Sequence, residues 1–203
     1  MARIEMIHDK PLIEDIFEYD LIIVGTGIYN TLGNGFQYDI KINFPNVNKI
    51  IKETPYGDKR KLGTVTIVND KPIFCLGFIH KGGFRKDLQT EYLDYNALTN
   101  VLSLIDENFE NKKIATTLIG SSKFDGNGDK DKILGIFQQL SDKNMYYLYD
   151  YEQRDYRIVH NEMWREIMEL KDKIPYQEFR QMKDNYIALR KHGIYGIKKQ
   201  KLL

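Results

Sequence analysis

Two glycine-rich loops hold the residues of this chain best suited to chemistry. The second along the chain, and the more informative, is Ile119-Gly120-Ser121-Ser122-Lys123-Phe124-Asp125-Gly126-Asn127-Gly128-Asp129. It follows the apolar run Ile114 to Ile119 and precedes a helical pattern with Ile133, Leu134, Ile136, Phe137 and Leu140 on one face. Small residues between a strand and a helix bring several backbone N–H groups to the positive end of the helix dipole, an arrangement that favours a phosphate or diphosphate. Ser121, Ser122 and Lys123 supply backbone donors, and the two hydroxyls add more. Phe124 has the shape to stack on a ribose or to cover the core. Ser122 has no identifiable paired base, so it is not read as a covalent nucleophile. The first loop along the chain, Gly25 to Gly35, leaves the strand Leu21–Val24. Two such cradles predict a nucleotide-like ligand.

The elements that position these loops follow from hydrophobic periodicity. Leu21-Ile22-Ile23-Val24 reads as a strand buried on both faces, and Ile4 to Ile7 as an edge strand. Phe36, Ile40 and Phe44 mark a short helix that stops before Pro45, with another turn or two at Val47, Ile50 and Ile51. Thr64–Val68 and Ile73–Ile79 flank Asn69-Asp70-Lys71-Pro72 and predict a hairpin. A helix over Glu91 to Asp106, the strand Ile114–Ile119, the helix after Asp129 and a last strand, Met145 to Tyr149, complete the pattern. Alternating strands and helices with one hairpin predict a three-layer α/β/α sandwich around a mixed sheet. Ligands of such sheets sit beyond the carboxyl ends of the strands, where both loops emerge, so the two are expected to share one cleft. Gly25-x-Gly27 is not a dinucleotide fingerprint, because Asn30 stands at the third glycine and no helix begins there.

After Asp150 the texture changes. Met163, Trp164, Ile167, Met168 and Leu170 mark one amphipathic helix, broken near Ile174-Pro175, and Phe179, Met182, Tyr186 and Leu189 mark a second. The reading is therefore a domain over residues 1–151 and a helical C-terminal extension over 152–203 that ends in a basic stretch, Arg190 to Lys201. The stripe on these helices is read as packing surface, and the basic end can contact nucleic-acid phosphates.

Composition narrows the classes. With 42% hydrophobic and 29% charged residues over 203, the chain has the balance of a soluble globular protein. A net charge of +1 makes no global case for nucleic acid or an anionic membrane. No apolar run is long enough to span a bilayer, so no membrane partner is expected. One cysteine, Cys75, fits a reducing compartment, and His8, His80, His160 and His192 lack the spacing of a zinc site. No metal and no cofactor are expected.

From about Pro11 to Tyr151 the chain resembles a macrodomain, the ADP-ribose-binding module, and in particular the branch containing terminal ADP-ribose protein glycohydrolase and related phage proteins. Glu14-Asp15-Ile16 followed by Asp20-Leu21-Ile22-Ile23-Val24 resembles the segment leading to the first buried strand. Leu32-Gly33-Asn34-Gly35-Phe36 resembles the Met-Gly-x-Gly-Ile loop. Lys61-Leu62-Gly63-Thr64-Val65 and Phe78-Ile79-His80-Lys81 resemble a Gly-x-Val strand and a strand ending in lysine. Ile119-Gly120-Ser121-Ser122 to Gly128-Asp129 resembles the phosphate loop. Gly25-Thr26-Gly27 replaces the Asn-Ala-Ala-Asn of many members, which places Thr26 among the ligand-facing residues.

The resemblance implies that Asp15 accepts from the adenine amino group with the Ile16 backbone beside it. It implies that Gly33, Asn34, Gly35 and Phe36 wrap the distal ribose and diphosphate with Thr26 and Leu32 also ligand-binding, that Gly120, Ser121, Ser122 and Lys123 hold the phosphates, and that Phe124 is ligand-binding as well. Lys81 and Asp125 become the catalytic pair, the amine attacking the anomeric carbon and the carboxylate moving protons. Because the loop is longer here, the functional carboxylate is either Asp125 or Asp129, Asp125 being favoured and Asp129 serving otherwise as a helix cap. His80 is read as structural, and Tyr149 or Tyr151 as able to pack on a base. The implied activity is removal of ADP-ribose from carboxylate side chains, or of the 1″-phosphate from ADP-ribose 1″-phosphate. The implied partner is ADP-ribose or an ADP-ribosylated protein. Two alternatives stand beside it: a binder of ADP-ribose or a related NAD-derived nucleotide without turnover, and a nucleic-acid or protein adaptor acting through the helical tail. Likeness to phage proteins implies work in a host bacterial cytoplasm.

Overall fold

In a computed structural model, residues 2–8, 10–33, 35–82, 90–122, 126–151, 164–171 and 173–192 are described. The chain divides into two compact units, Met1–Glu152 and Gln153–Leu203. The first is built on six strands: β1 (Arg3–Ile7), β2 (Leu21–Gly27), β3 (Val65–Val68), β4 (Ile73–His80), β5 (Lys113–Thr117) and β6 (Met145–Tyr149), in the sheet order β1-β6-β5-β2-β4-β3. Every pairing is parallel except β3 with β4, the hairpin expected around Lys71-Pro72.

Alternation along the strands builds a core on each face of the sheet. Ile22 and Val24 of β2, with Phe74, Leu76 and Phe78 of β4, pack against α1 (Gly35–Asn43) and α2 (Pro45–Glu53) through Ile40, Val47 and Ile51. Leu21, Ile23, Cys75 and Ile79 face the other way, onto Leu98, Val101, Leu102 and Ile105 of α3 (Tyr95–Asn108) and Ile133 and Phe137 of α4 (Lys130–Gln138). Each fully buried aliphatic side chain contributes about 1.5–3 kcal/mol through removal from water. The result is the expected α/β/α sandwich. β2 runs three residues beyond its apolar stretch, to Gly27, and all seven of its residues are buried.

In the second unit, residues 164–169 are helical and α5 spans Tyr176–His192. Ile167, Phe179 and Tyr186 form its small core, with Trp164 stacked against Tyr186 at 5.2 Å. Among the described residues no helix is long and apolar enough to cross a membrane.

Candidate functional site

β2 lies between β5 and β4, all parallel, so the segments after these three strands emerge side by side at one edge. The two glycine loops touch there. A Cβ on Gly25 would stand 2.2 Å from Ile119 Cγ2, so only glycine lets the end of β2 lie against the start of the second loop. Gly120 takes φ +78°, a left-handed conformation suited to glycine, and its carbonyl accepts from Gly128 N–H at 2.8 Å. A Cβ on Gly126 would lie 2.7 Å from the Gly120 carbonyl oxygen, a backbone atom that cannot swing aside. Tyr92 and Leu93 N–H both donate to the Gly126 carbonyl, at 2.8 and 3.2 Å, and Lys81 N–H donates to the Tyr92 carbonyl at 3.1 Å. One strap, residues 91–95, thus joins the end of β4 to the phosphate-like loop.

His80 lies under this loop. It is buried, and its Nε2 sits 3.1 Å from where a Gly126 Cβ would be. The register slips here, Thr26 facing Phe78 but Gly27 facing His80, an irregularity of the kind that re-aims side chains beside sites. Simple alternation along β4 does not foresee that.

Several of the expected ligand residues turn their side chains into the protein. Ile16, Leu32 and Phe36 are buried in the core with α1 and α2. Thr26 is buried and its hydroxyl donates to the Gly77 carbonyl at 3.2 Å. Ser121 turns its hydroxyl onto the Leu118 carbonyl at 2.7 Å, and the Ser122 carbonyl accepts from Gly126 and Asn127 N–H. Gly33 is exposed, with open space where a Cβ would point, and Gly35 at φ +49° opens α1. Asn34, Lys123, Phe124 and Asp125 lie outside the described residues. Asp129 caps α4, accepting from Lys132 N–H at 3.0 Å, so this helix end already carries its own carboxylate.

Two carboxylates near this edge, Asp94 and Asp15, are each paired with a lysine. Lys81, directly after β4, holds Asp94 at 2.8 Å; Asp94 is also the N-cap of α3, accepting from Ala97 N–H at 3.1 Å. Burial works against the Asp94 anion, but Lys81 and these N–H groups outweigh it and hold the carboxyl below its ordinary value. Asp15 links two 3-10 turns, Leu12–Glu14 and Ile16–Glu18, near the end of β6. Its Oδ2 accepts from Lys10 Nζ at 2.6 Å and from the Tyr149 hydroxyl at 2.7 Å, and Tyr149 meets the Tyr19 hydroxyl at 2.6 Å. Tyr149 is therefore tied by its hydroxyl to the carboxylate expected to read a base, whereas Tyr151 is exposed.

A cluster that sequence reasoning passed over stands at the root of the first loop. Lys61 is buried, donating to Asn30 Oδ1 and, at 3.2 Å, to Thr54 Oγ1, with its Nζ 4.5 Å from the centre of the Phe78 ring. Burial pushes its amine below the ordinary lysine value, with Asp58 opposing. Among the described residues no group of three His, Cys, Asp or Glu is placed to hold a metal.

By sequence, no protein-family model and no curated protein matches the chain. By structure it is similar to the macrodomain of Mycobacterium tuberculosis DarG, with a TM-score of 0.54 at 15% identity over 73% of this chain and 98% of that one. It is similar to a Streptomyces coelicolor macrodomain protein, with a TM-score of 0.51 at 13% identity over 73% and 99%. It also resembles Thermosipho africanus DarTG, solved in complex with ADP-ribose, with a TM-score of 0.53 at 14% identity over 76% of this chain and 43% of that one. The chain carries the macrodomain fold.

Proposed function

We propose that the chain binds ADP-ribose across the carboxyl edge of its sheet. The observation that carries this reading is the contact between the two glycine loops at Gly25 and Ile119, where adjacent parallel strands deliver both cradles to one place. The diphosphate would lie against the backbone that opens α1 at Gly33 and Gly35 and against the turn at 120–122, and the base would meet Asp15. The solved complex of a similar structure with ADP-ribose supports the choice of ligand. Calorimetric titration tests it. We expect saturable binding, lost in Gly126→Val, whose side chain displaces the Gly120 backbone. Absence of heat at about 1 mM ligand, the weak end of specific binding, overturns the reading.

A second reading adds turnover and rests on Lys81, which stands at the same edge with a carboxylate 2.8 Å away. In it, the Lys81 ammonium first gives a proton to Asp94, and the neutral amine then bonds to C1″ of the distal ribose as the C1″–O bond to a modified carboxylate breaks. The carboxylate departs with the bonding pair, the amine's proton passes to Asp125, and water then releases ADP-ribose. The same pocket would suit a 1″-phosphate as leaving group. Release of ADP-ribose from a glutamate-modified peptide by the wild type, and its loss in Lys81→Ala with binding retained, separates enzyme from reader.

A further inference from the structure

The bonds around Asp15 are unequally divided. Both the Lys10 ammonium and the Tyr149 hydroxyl land on Oδ2, at 2.6 and 2.7 Å. A tyrosine hydroxyl has one proton; since Tyr149 gives its own to Asp15, Tyr19 must donate to Tyr149 across their 2.6 Å contact. The chain Tyr19 to Tyr149 to Asp15 is thus directional, and the ammonium closes its far end. Asp15 keeps 9% of its surface in solvent, and Lys10 is 40% exposed by side chain. Two charge-assisted bonds on one oxygen fix the carboxylate plane and leave the other oxygen as an acceptor.

We propose that Lys10 is the positioning residue of a base subsite, fixing Asp15 so that Oδ1 is presented to the exocyclic amino group of a nucleobase. This rests on the ADP-ribose reading above. Lys10 acts through Asp15, and its removal has a signature that lost packing does not. Burial alone raises the Asp15 carboxyl, and Lys10 with Tyr149 brings it below its ordinary value. Without Lys10 the carboxyl takes up a proton at higher pH, and the protonated acid no longer matches an amino donor. Among the described residues, the titratable groups near this point include Tyr19 and Tyr149, Glu18 acting on Tyr19, and Asp150 with His8 at 3.9 Å and Lys130 at 2.6 Å, all shared by wild type and variant.

The experiment is ADP-ribose titration of the full chain from about pH 2.5 to about pH 8, with folding followed at each pH by circular dichroism. In Lys10→Met we expect the acid limit of binding to move up by about one pH unit, with affinity at the alkaline end weakened about threefold or less, and Lys10→Arg to restore the wild-type profile. An acid limit that stays in place in Lys10→Met overturns the proposal while leaving ADP-ribose binding intact. No binding by the wild type at any pH overturns the ligand reading itself. Should Lys10→Met fold poorly, the carbon-13 shift of the Asp15 carboxyl in unliganded wild type and Lys10→Arg gives the second measurement: it must titrate below the ordinary aspartate value in both, and a normal value in either overturns the proposal.

Discussion

At the scale of single residues, the side chains least expected from the sequence are the most tightly held. Lys61 sits among neutral partners, Asn30, Thr54 and the Phe78 ring, and ties a residue in the left-handed region, Asn30 at φ +56°, to the end of α2. Its charge is disfavoured by burial, so the folded amine gives up its proton below the 10.5 of an ordinary lysine. The sign follows from proton counting. As pH rises towards 10.5, the unfolded chain still holds a proton that the folded chain has released, so the Lys61 contribution to stability grows with pH in that window. Lys61→Met removes this slope. Near neutrality its effect is about 1 kcal/mol or less, because Thr54 Oγ1 and Asn30 Oδ1 remain bonded to each other at 3.0 Å. Denaturant unfolding at about pH 7 and about pH 10 checks it, since the tyrosines that titrate at alkaline pH are common to both proteins. An advantage of wild type over variant that does not grow with pH contradicts the account.

At the scale of elements, the second glycine loop is a braced arch rather than an open helix end. Its far side stands on Asp129, which caps α4, and Asp129 N–H donates to the Tyr95 hydroxyl at 2.8 Å, tying the arch to the first turn of α3. Because Asp129 caps α4, Asp129→Ala lowers unfolding free energy by about 1 kcal/mol, and under the turnover reading it leaves ADP-ribose release from a modified peptide intact. Loss of release without loss of stability would instead make Asp129 the functional carboxylate. Strands and helices such as β2, α3 and α4 were legible because burial writes a period of two or 3.6 into the chain. The partners at the site were not. Asp15 meets Tyr149 across 134 positions, and the Lys81–Asp94 pair depends on where the strap folds back, and neither separation leaves a local pattern. The glycines could be read as loops, but not that Gly25 must admit Ile119.

At the scale of the whole molecule, three carboxylates hold distant parts of the first unit together, and together they contribute to its response to acid. Asp15 joins the N-terminal segment to the end of β6 through Lys10 and Tyr149. Asp94 joins the start of α3 to the end of β4 through Lys81. Asp106 joins the later part of α3 to the start of β6, accepting from Tyr146 at 2.8 Å and from Ser141 N–H at 3.0 Å. In each, burial opposes the anion but donors outweigh it, and all three carboxyls lie below the ordinary 3.8. Above that value the stabilisation is complete. As pH falls below it, the unfolded chain binds protons that the folded chain still refuses, so stability is lost through this window and on down through the folded values. The unfolding temperature should therefore change little near neutrality on account of these groups and fall steeply below about pH 4. Asp106→Asn separates this from general acid repulsion. The variant loses about 1–3 kcal/mol at neutral pH, where the charged acceptor is replaced by a weaker one. Its acid decline is shallower, because one of the three groups no longer titrates. Thermal unfolding of both proteins from about pH 7 to about pH 3 reads the two slopes, and parallel curves would show that the carboxylate on α3 contributes nothing through its charge.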